Sequence, residues 1–377
     1  MSLKIETAFT GGNVFIENIN GFDVLLTRDM RNSEGDWFYW AFRAIFDKIG
    51  EYRFTFTSPH SLSSCGPAVS YDDGKTWEWL GFECVTQRNI FTYKFDGTKS
   101  EKVIFCVGMQ YLPYHLERFL SRHEGSPYLS QSILTYSRKN RPVKHLHIED
   151  TSCPGAKKHV FLSSRHHCCE MMATYALEGI LETALGADET GRCLRERYII
   201  DCVPFADTDG VIDGDQGKNR RPHDHNRDYG EQPIYPEVKA IQDFLLSKKL
   251  FFTMDLHCPW IYSGIHNETV YFPGPEEAIH EELLKIFAQI LEKHAPAEAP
   301  FFAVNNLPFG TGWNTKSNYQ GLTCSAWIRK MCAPQFAQSI EIPYAIASGV
   351  QLTADSVRAL GRAIAESIIE YDDLMGN

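Results

Sequence analysis

Apolar and polar residues alternate along most of the first hundred positions. The segments FDVLLTR (22–28), EYRFTFTS (51–58) and KVIFCVG (102–108) follow this pattern, and the aromatic segment WFYWAFRAIF (37–46) extends it. Gly, Asn and Asp separate these segments, in which aromatic and β-branched residues dominate. Short alternating runs bounded by turn residues are typical of strands in antiparallel sheets. The pattern therefore predicts an N-terminal antiparallel β-sandwich domain over residues 1–108.

From residue 109 the pattern changes to strands that alternate with helices. Strand patterns occur at 159–164, 197–205, 251–257 and 339–345, and helical patterns at 168–186, 236–249, 275–294 and 353–372. This alternation is typical of a mostly parallel sheet flanked by helices. We therefore expect a second domain over residues 109–377, with an α/β fold built on a mixed, mostly parallel sheet. Residues 206–234 lack apolar periodicity, and a structureless loop of that length is usually functional.

Three short polar segments lie at or near expected strand ends of the second domain. RHHCCE offers His167 and Glu170 three residues apart, DLHCPW offers His257, and SIEIPYA places Glu341 inside an apolar run. Two His and one Glu form a ligand set that catalytic zinc uses when one position stays open for water. A further carboxylate is suited to act as the base for that water. Because ligands of open α/β sheets bind at the carboxyl ends of strands, we expect the segments to converge.

Each segment also has a plainer interpretation. His166 competes with His167, because it precedes Glu170 by four residues and shares a helical face with it. Glu341 alone would be read as the polar end of an edge strand. The segment around His257 would be read as a polar strand end, with Asp255 on the same side of the strand as a supporting carboxylate. Only the joint occurrence of the segments favours a metal site.

Taken together, the segments resemble those of the zinc carboxypeptidase family, and more narrowly the cytosolic carboxypeptidase branch, over nearly the whole chain. RHHCCE is similar to the family's Arg-x-His-x-x-Glu segment, DLHCPW to the segment of the third ligand, and SIEIPYA to the strand of the general base. DWFYWAFRAI resembles the aromatic strand of the branch's N-terminal sandwich. The resemblance implies a carboxypeptidase-like α/β domain with one Zn²⁺ per chain on His167, Glu170 and His257, and Glu341 as general base.

The resemblance also implies how the substrate is bound. HNRDY is similar to the family's Asn-Arg pair, which assigns Asn226 and Arg227 to the substrate's terminal carboxylate. A guanidinium suits this role because it offers two parallel donors in one plane. In the family an arginine before this pair stabilises the oxyanion, and Arg220 and Arg221 both qualify here.

Two further positions follow from the same resemblance. SNYQGLTCSAW resembles the surroundings of the family's mobile tyrosine, which assigns that role to Tyr319. The spacing to Glu341 places Ala326 on the floor of the side-chain pocket, if that spacing is as in the family. A small neutral residue there requires neither an acidic nor a basic partner.

The implied function is that of a zinc-dependent metallocarboxypeptidase, a metalloprotease that hydrolyses the C-terminal peptide bond of peptides or protein tails. One alternative is a zinc-dependent amidase or deacylase on N-acyl amino acids, which would use the same metal and carboxylate clamp. Another is a non-catalytic glycan- or peptide-binding protein. The single SYDDGKTW segment matches hairpins of sialidase-like propellers, but we interpret it as a structural turn.

The charge, the apolar stretches and the cysteines of the chain bear on its partners and its cellular location. A net charge of −11 over 377 residues argues against nonspecific binding to nucleic acid or anionic membranes. No stretch approaches the roughly 18 apolar residues of a membrane span, and MSLKIETAFTGG lacks the apolar region of a secretion signal. The eleven cysteines are therefore expected to be reduced thiols in a cytoplasmic protein. The sequence gives no indication of oligomeric state.

Overall fold

The first hundred residues form two five-stranded sheets, as their alternating pattern predicts. The structure, a computed structural model, describes residues 3–262, 264–318 and 321–376. In chain order the strands of the N-terminal region are β1 (Leu3–Glu6), β2 (Phe15–Asn20), β3 (Asp23–Thr27), β4 (Ala41–Phe46), β5 (Gly50–Phe56), β6 (Ala68–Ser70), β7 (Glu78–Trp79), β8 (Val85–Gln87), β9 (Ile90–Phe95) and β10 (Lys102–Cys106).

The pairing within these sheets is antiparallel except at one position. The first sheet has the order β1-β4-β10-β6-β7 and the second the order β2-β3-β5-β9-β8. All pairs of the first sheet are antiparallel, whereas β3 and β5 of the second run parallel. These two strands run in the same direction because β4, which lies between them along the chain, belongs to the other sheet. The prediction of antiparallel pairing is thus correct only in part.

Aromatic side chains fill the space where the two sheets face each other. Phe42 and Phe105 of the first sheet contact Phe54 of the second, with ring centroids 5.4 and 5.5 Å apart, and Phe54 stacks on Phe91 at 4.8 Å. All four rings are fully buried. This packing explains the abundance of aromatic residues in the strand patterns. The predicted division of the chain between residues 108 and 109 stays a prediction.

The rest of the chain alternates helices and strands. In chain order its elements are α1 (Pro113–Arg122), β11 (Leu129–Tyr136), β12 (Pro142–Ile148), β13 (Lys158–Ser164), α2 (Met171–Leu185), α3 (Glu189–Arg197), β14 (Tyr198–Val203), α4 (Thr208–Asp213), α5 (Pro236–Leu246), β15 (Leu250–His257), α6 (Ala278–His294), α7 (Cys324–Cys332), β16 (Phe336–Glu341), β17 (Ile346–Ala347), β18 (Val350–Gln351) and α8 (Ala354–Met375).

Six of these strands form one mixed sheet with the order β11-β12-β14-β13-β15-β16. The four strands β14, β13, β15 and β16 are parallel to one another, and β11 and β12 add an antiparallel edge. The parallel strands are buried on both faces, which explains why their sequences are apolar runs rather than alternating patterns. The predicted mixed sheet flanked by helices is confirmed.

Helices cover both faces of this sheet. On one face α2 contacts β13 and β15, α6 contacts β16, and α8 packs on both helices. On the other face α7 contacts β15 and β16, and α5 packs against α7. The helices α2 and α8 approach closely at Gly179 and Gly361, where a Cβ on Gly361 would lie 2.1 Å from the carbonyl oxygen of Ala176.

Polar side-chain contacts order much of the long segment 206–234. It contains α4 and a short 3-10 turn at His225–Arg227, so the expectation of a structureless loop is wrong. Asp207 accepts a hydrogen bond from the backbone of Gly210 and caps α4. Asp228 accepts hydrogen bonds from the backbone of Tyr235 and of Ile234. Such polar contacts leave no periodic signal in the sequence.

None of the helices in the described part of the chain is long and apolar enough to span a membrane. The eleven cysteines all lie among the described residues, and each is a free thiol.

Candidate metal centre

The parallel strands of the mixed sheet bring the polar segments to one edge. Across β15 and β16, His257 is paired with Glu341, so the last residues of these two strands lie side by side. The neighbouring strand β13 ends at Ser164, which pairs with Leu256 of β15. His167 and Glu170 follow β13 in the turn that leads into α2. The predicted convergence of the segments is therefore present in the structure.

Glu170 lies between two imidazole rings. Its Oε1 atom is 3.0 Å from Nδ1 of His167, and its Oε2 atom is 2.7 Å from Nδ1 of His257. One donor atom from each of the three buried residues lies within 4.8 Å of the other two. Burial disfavours a charged carboxylate, but Lys218 and the two imidazoles hold the pKa of Glu170 well below its usual range. The donor set and its spacing fit one zinc ion.

Two carboxylates lie behind the imidazole rings, one within hydrogen-bond distance and one farther away. Asp255 Oδ2 lies 2.7 Å from Nε2 of His257, and Asp224 Oδ1 lies 3.5 Å from Nε2 of His167. An imidazole that donates its Nε2 proton keeps the lone pair of Nδ1 free for an ion. Both Nδ1 atoms face Glu170, so the two rings direct their ligand atoms at a common point.

His166 is not available as a ligand. Its Nδ1 lies 2.8 Å from Oδ1 of Asp255, and its Nε2 lies 2.6 Å from the hydroxyl of Tyr229. It also groups with Asp255 and Cys324 within 4.8 Å, but in this fully buried arrangement both ring nitrogens already have hydrogen-bond partners. His166 therefore supports Asp255, and the structure favours His167 as the ligand.

Glu341 lies beside the three candidate ligands. It is buried, and its Oε2 atom has no hydrogen-bond partner among the described residues. Burial and the negative charge of Glu170 raise the pKa of Glu341. A carboxylate with a raised pKa and an unpartnered oxygen is suited to accept a proton from a nearby water.

A cavity of about 1080 Å³ lies over these residues. His167, His257 and Glu341 line its base, and Ala326 and Arg227 line its wall. Further lining residues come from several parts of the chain and include Trp37, Lys218, Asn226, Trp260, Trp313 and Arg329. The cavity is large enough for one end of a peptide.

Asn226 and Arg227 both line this cavity, as the resemblance implies. Asn226 is held in place because its Oδ1 accepts a hydrogen bond from the backbone of Cys324 at 2.8 Å. Arg227 donates a hydrogen bond to the carbonyl of Asn226. The short 3-10 turn thus presents an amide and a guanidinium together.

The structure does not bring Arg220 or Arg221 to the cavity. Arg220 is buried and forms ion pairs with Asp207 at 2.7 Å and Asp215 at 2.9 Å. The side chain of Arg221 is 79% exposed and pairs with Glu34. Neither guanidinium faces the ligand set, because each is already paired with carboxylates elsewhere. Tyr319, the remaining predicted residue, lies outside the described residues.

One cation that the sequence analysis did not consider lies at the centre. The Nζ atom of Lys218 is 2.5 Å from Oε1 of Glu170. Asp224, which lies behind the ring of His167, was likewise not predicted. The only sequence signal for either was their place in the long polar segment 206–234, which suggests function without identifying residues.

Comparisons with known proteins agree with this geometry. No protein-family model matches the sequence. The chain is 24% identical over 272 residues to cytosolic carboxypeptidase 6 of Caenorhabditis elegans, covering 65% of this chain and 58% of that protein. It is 25% identical over 371 residues to cytosolic carboxypeptidase 1 of Xenopus laevis, covering 78% of this chain and 29% of that protein. The chain thus spans less than two thirds of either relative.

Solved structures share the fold over its full length. A metallo-carboxypeptidase from Burkholderia cenocepacia superimposes with a TM-score of 0.81 at 18% identity, covering 100% of both chains. One from Pseudomonas aeruginosa, in complex with (2-guanidinoethylmercapto)succinic acid, gives a TM-score of 0.80 at 18% identity, covering 98% of this chain and 99% of that one. In sequence the chain is similar to cytosolic carboxypeptidases, and it shares the fold of metallo-carboxypeptidases. The named sequence relatives are cytosolic carboxypeptidases, as the resemblance predicts.

Proposed function

We propose that this protein is a zinc-dependent metallocarboxypeptidase that removes the last residue from a peptide or protein tail. The observation that carries the proposal is the meeting of His167, Glu170 and His257 around one point, with the unpartnered oxygen of Glu341 beside them. A zinc ion held by these three residues supplies a Lewis acid and lowers the pKa of a bound water toward about 7.

The side chains around the candidate ligands have separate roles in the proposed reaction. Glu341 accepts the proton of the attacking water and returns it to the departing amine. Its raised pKa supports both steps, because a more basic carboxylate takes the proton more readily and its acid form persists at higher pH. Arg227 and Asn226 bind the carboxylate of the terminal residue, which selects chain ends over internal bonds.

The substrate in this proposal is the C-terminus of a peptide or protein in the cytoplasm. The name of the relatives and the free thiols of the chain support that location. We assign residues 1–108 to a β-sandwich domain and residues 109–377 to the catalytic domain. The packing of aromatic rings between the two N-terminal sheets supports the sandwich. The terminal side chain would lie against Ala326, near Arg329, which is paired with Glu277 at 3.3 Å.

The test compares wild type with Glu341→Gln and with the exposed control Glu282→Gln. Zinc content is measured by elemental analysis, and products from a panel of peptides that differ in their last residue are measured by mass spectrometry. We expect about one zinc per chain in all three proteins and loss of hydrolysis in Glu341→Gln alone. Full activity in Glu341→Gln would remove the base. Release of an organic acid from N-acyl amino acids, without peptide trimming, would identify an amidase instead.

A further inference from the structure

Lys218 reaches the ligand set because the chain before it packs directly on the metal-binding turn. Gly217 has a φ angle of +78°, and a Cβ at this position would lie 2.5 Å from the backbone nitrogen of Cys168. Only glycine tolerates both that conformation and that approach. Since Cys168 follows the ligand His167 directly, the packing of Gly217 fixes Lys218 next to the ligands.

The ammonium group of Lys218 has contacts that hold its charge in place. Its Nζ atom lies 2.5 Å from Oε1 of Glu170, 3.4 Å from the carbonyl oxygen of Cys258 and 4.9 Å from the ring centroid of Trp37. The side chain is 13% exposed and lines the cavity together with Glu341. Its ammonium pairs with the buried carboxylate of Glu170 and faces the cavity in which a substrate carbonyl would lie.

The arginines that follow Lys218 in the chain have other partners. Arg220 is enclosed by Asp207 and Asp215, and Arg221 points to solvent beside Glu34. Arg227 stands on the 3-10 turn with Asn226. Among the described residues, Lys218 is the cation whose charged end contacts a member of the ligand set.

We propose that Lys218 is a catalytic residue whose ammonium stabilises the oxygen anion formed when water adds to the scissile carbonyl. The inference rests on the proposed function. In this step a water oxygen bonds to the carbonyl carbon, and the π electron pair of the carbonyl moves to its oxygen. The water proton passes to Glu341, and Lys218 keeps all of its protons. The long side chain of lysine swings from Glu170 toward the new anion.

A charge aimed at a developing oxyanion acts mainly on kcat. Removal of one such donor typically lowers kcat about 10²- to 10³-fold, because the ground-state carbonyl gains less from it than the anion does. Zinc binding is expected to respond in the opposite direction. An ammonium that pairs with Glu170 repels a divalent cation bound to the same carboxylate, so its removal should tighten zinc binding by at least about threefold.

The experiment uses the full chain with Lys218→Met, Lys218→Arg and the exposed control Lys239→Met. Peptide hydrolysis gives kcat and KM, and titration against a chelator gives the zinc Kd. We expect Lys218→Met to lose about 10²- to 10³-fold in kcat with KM within about threefold. Lys218→Arg should recover part of kcat, and Lys239→Met should match wild type. Unchanged kcat in Lys218→Met, or weaker zinc binding, would overturn the proposal.

A second variant covers the case in which Lys218→Met does not fold. Lys218→Ala leaves room for a small amine, and we expect added ethylammonium to raise its kcat in proportion to concentration. Failure of rescue in a folded, zinc-loaded Lys218→Ala protein would count against the role. Wild type that trims no peptide would instead refute the proposed function. Hydrolysis that needs Glu341 but not Lys218 would refute this inference alone.

Discussion

Replacing Asp255 by Asn should weaken zinc binding, because this carboxylate serves three donors at once. Its Oδ1 lies 2.8 Å from Ser163 Oγ and 2.8 Å from His166 Nδ1, and its Oδ2 lies 2.7 Å from His257 Nε2. Asparagine has one acceptor oxygen and a donating NH₂ group, so it leaves at least one of these buried donors without an acceptor. An NH₂ group facing His257 also favours the tautomer with its proton on Nδ1, which blocks the ligand atom.

The expected loss of zinc affinity depends on the distance between each carboxylate and its imidazole. Loss of a carboxylate behind a metal-binding histidine typically lowers metal affinity 10- to 100-fold, which is about 1.4 to 2.7 kcal/mol. Asp224 provides the matched comparison, since its oxygen is 3.5 Å from His167 Nε2, beyond a good hydrogen bond. We therefore expect a 10- to 100-fold loss in Asp255→Asn and less than about threefold in Asp224→Asn.

Chelator competition at a fixed pH measures both zinc Kd values, and thermal unfolding of each variant confirms that it is folded. An equal or larger loss in Asp224→Asn would refute the ranking by distance. Retention of wild-type affinity in a folded Asp255→Asn protein would refute the tautomer argument altogether.

Two further predictions concern stability. Asp201→Asn should lower the free energy of unfolding by about 2 kcal/mol near pH 5.5 and by less near pH 8.5. The hydrogen bond to Asp201 raises the pKa of His147, so this stabilisation is present below the unfolded value of about 6.5 and is lost as pH rises through the folded value. Burial disfavours the charged form of the Asp201 carboxylate, but the hydrogen bonds from its histidine partners lower its pKa. The stability that this carboxylate contributes is therefore lost only when the pH falls into the strongly acidic range. Urea unfolding of wild type and Asp201→Asn at both pH values measures the loss of unfolding free energy. An equal loss at the two pH values would contradict this prediction. Gly361→Ala should cost about 3 kcal/mol, because its Cβ would lie 2.1 Å from the carbonyl of Ala176. Gly230→Ala, which meets nothing within 4 Å, is the control, and equal stability of the two variants would contradict the packing argument.

The convergence of the candidate ligands could be predicted from sequence because they lie at or beside strand ends. A parallel strand has an apolar run that is visible in the sequence, and its last polar residue must point to the binding edge. His257 and Glu341 end β15 and β16, and His167 and Glu170 follow β13 directly. The mixed sheet itself was predictable for the same reason.

The contacts of the 206–234 segment could not be predicted in this way. Its conformation depends on ion pairs such as Arg220 with Asp207 and on the approach of Gly217 to Cys168, which is distant in sequence. The family resemblance implies an arginine at the oxyanion. Which of the nearby cations faces the ligands is decided by tertiary packing, and that packing selects Lys218.

The N-terminal sheets also take part in ordering the same segment. The backbone of Tyr39 donates a hydrogen bond to Gln216 Oε1 at 2.7 Å, and Gln216 Nε2 donates to the carbonyl of Tyr39 at 2.8 Å. Arg31 pairs with Asp215 at 2.5 Å, and Trp37 forms part of the cavity wall. Gln216 and Asp215 precede Lys218 by two and three residues, so the N-terminal region fixes the path by which this side chain enters the site. The first hundred residues therefore help to shape the candidate metal centre, because they contact the segment that carries Lys218, Asn226 and Arg227.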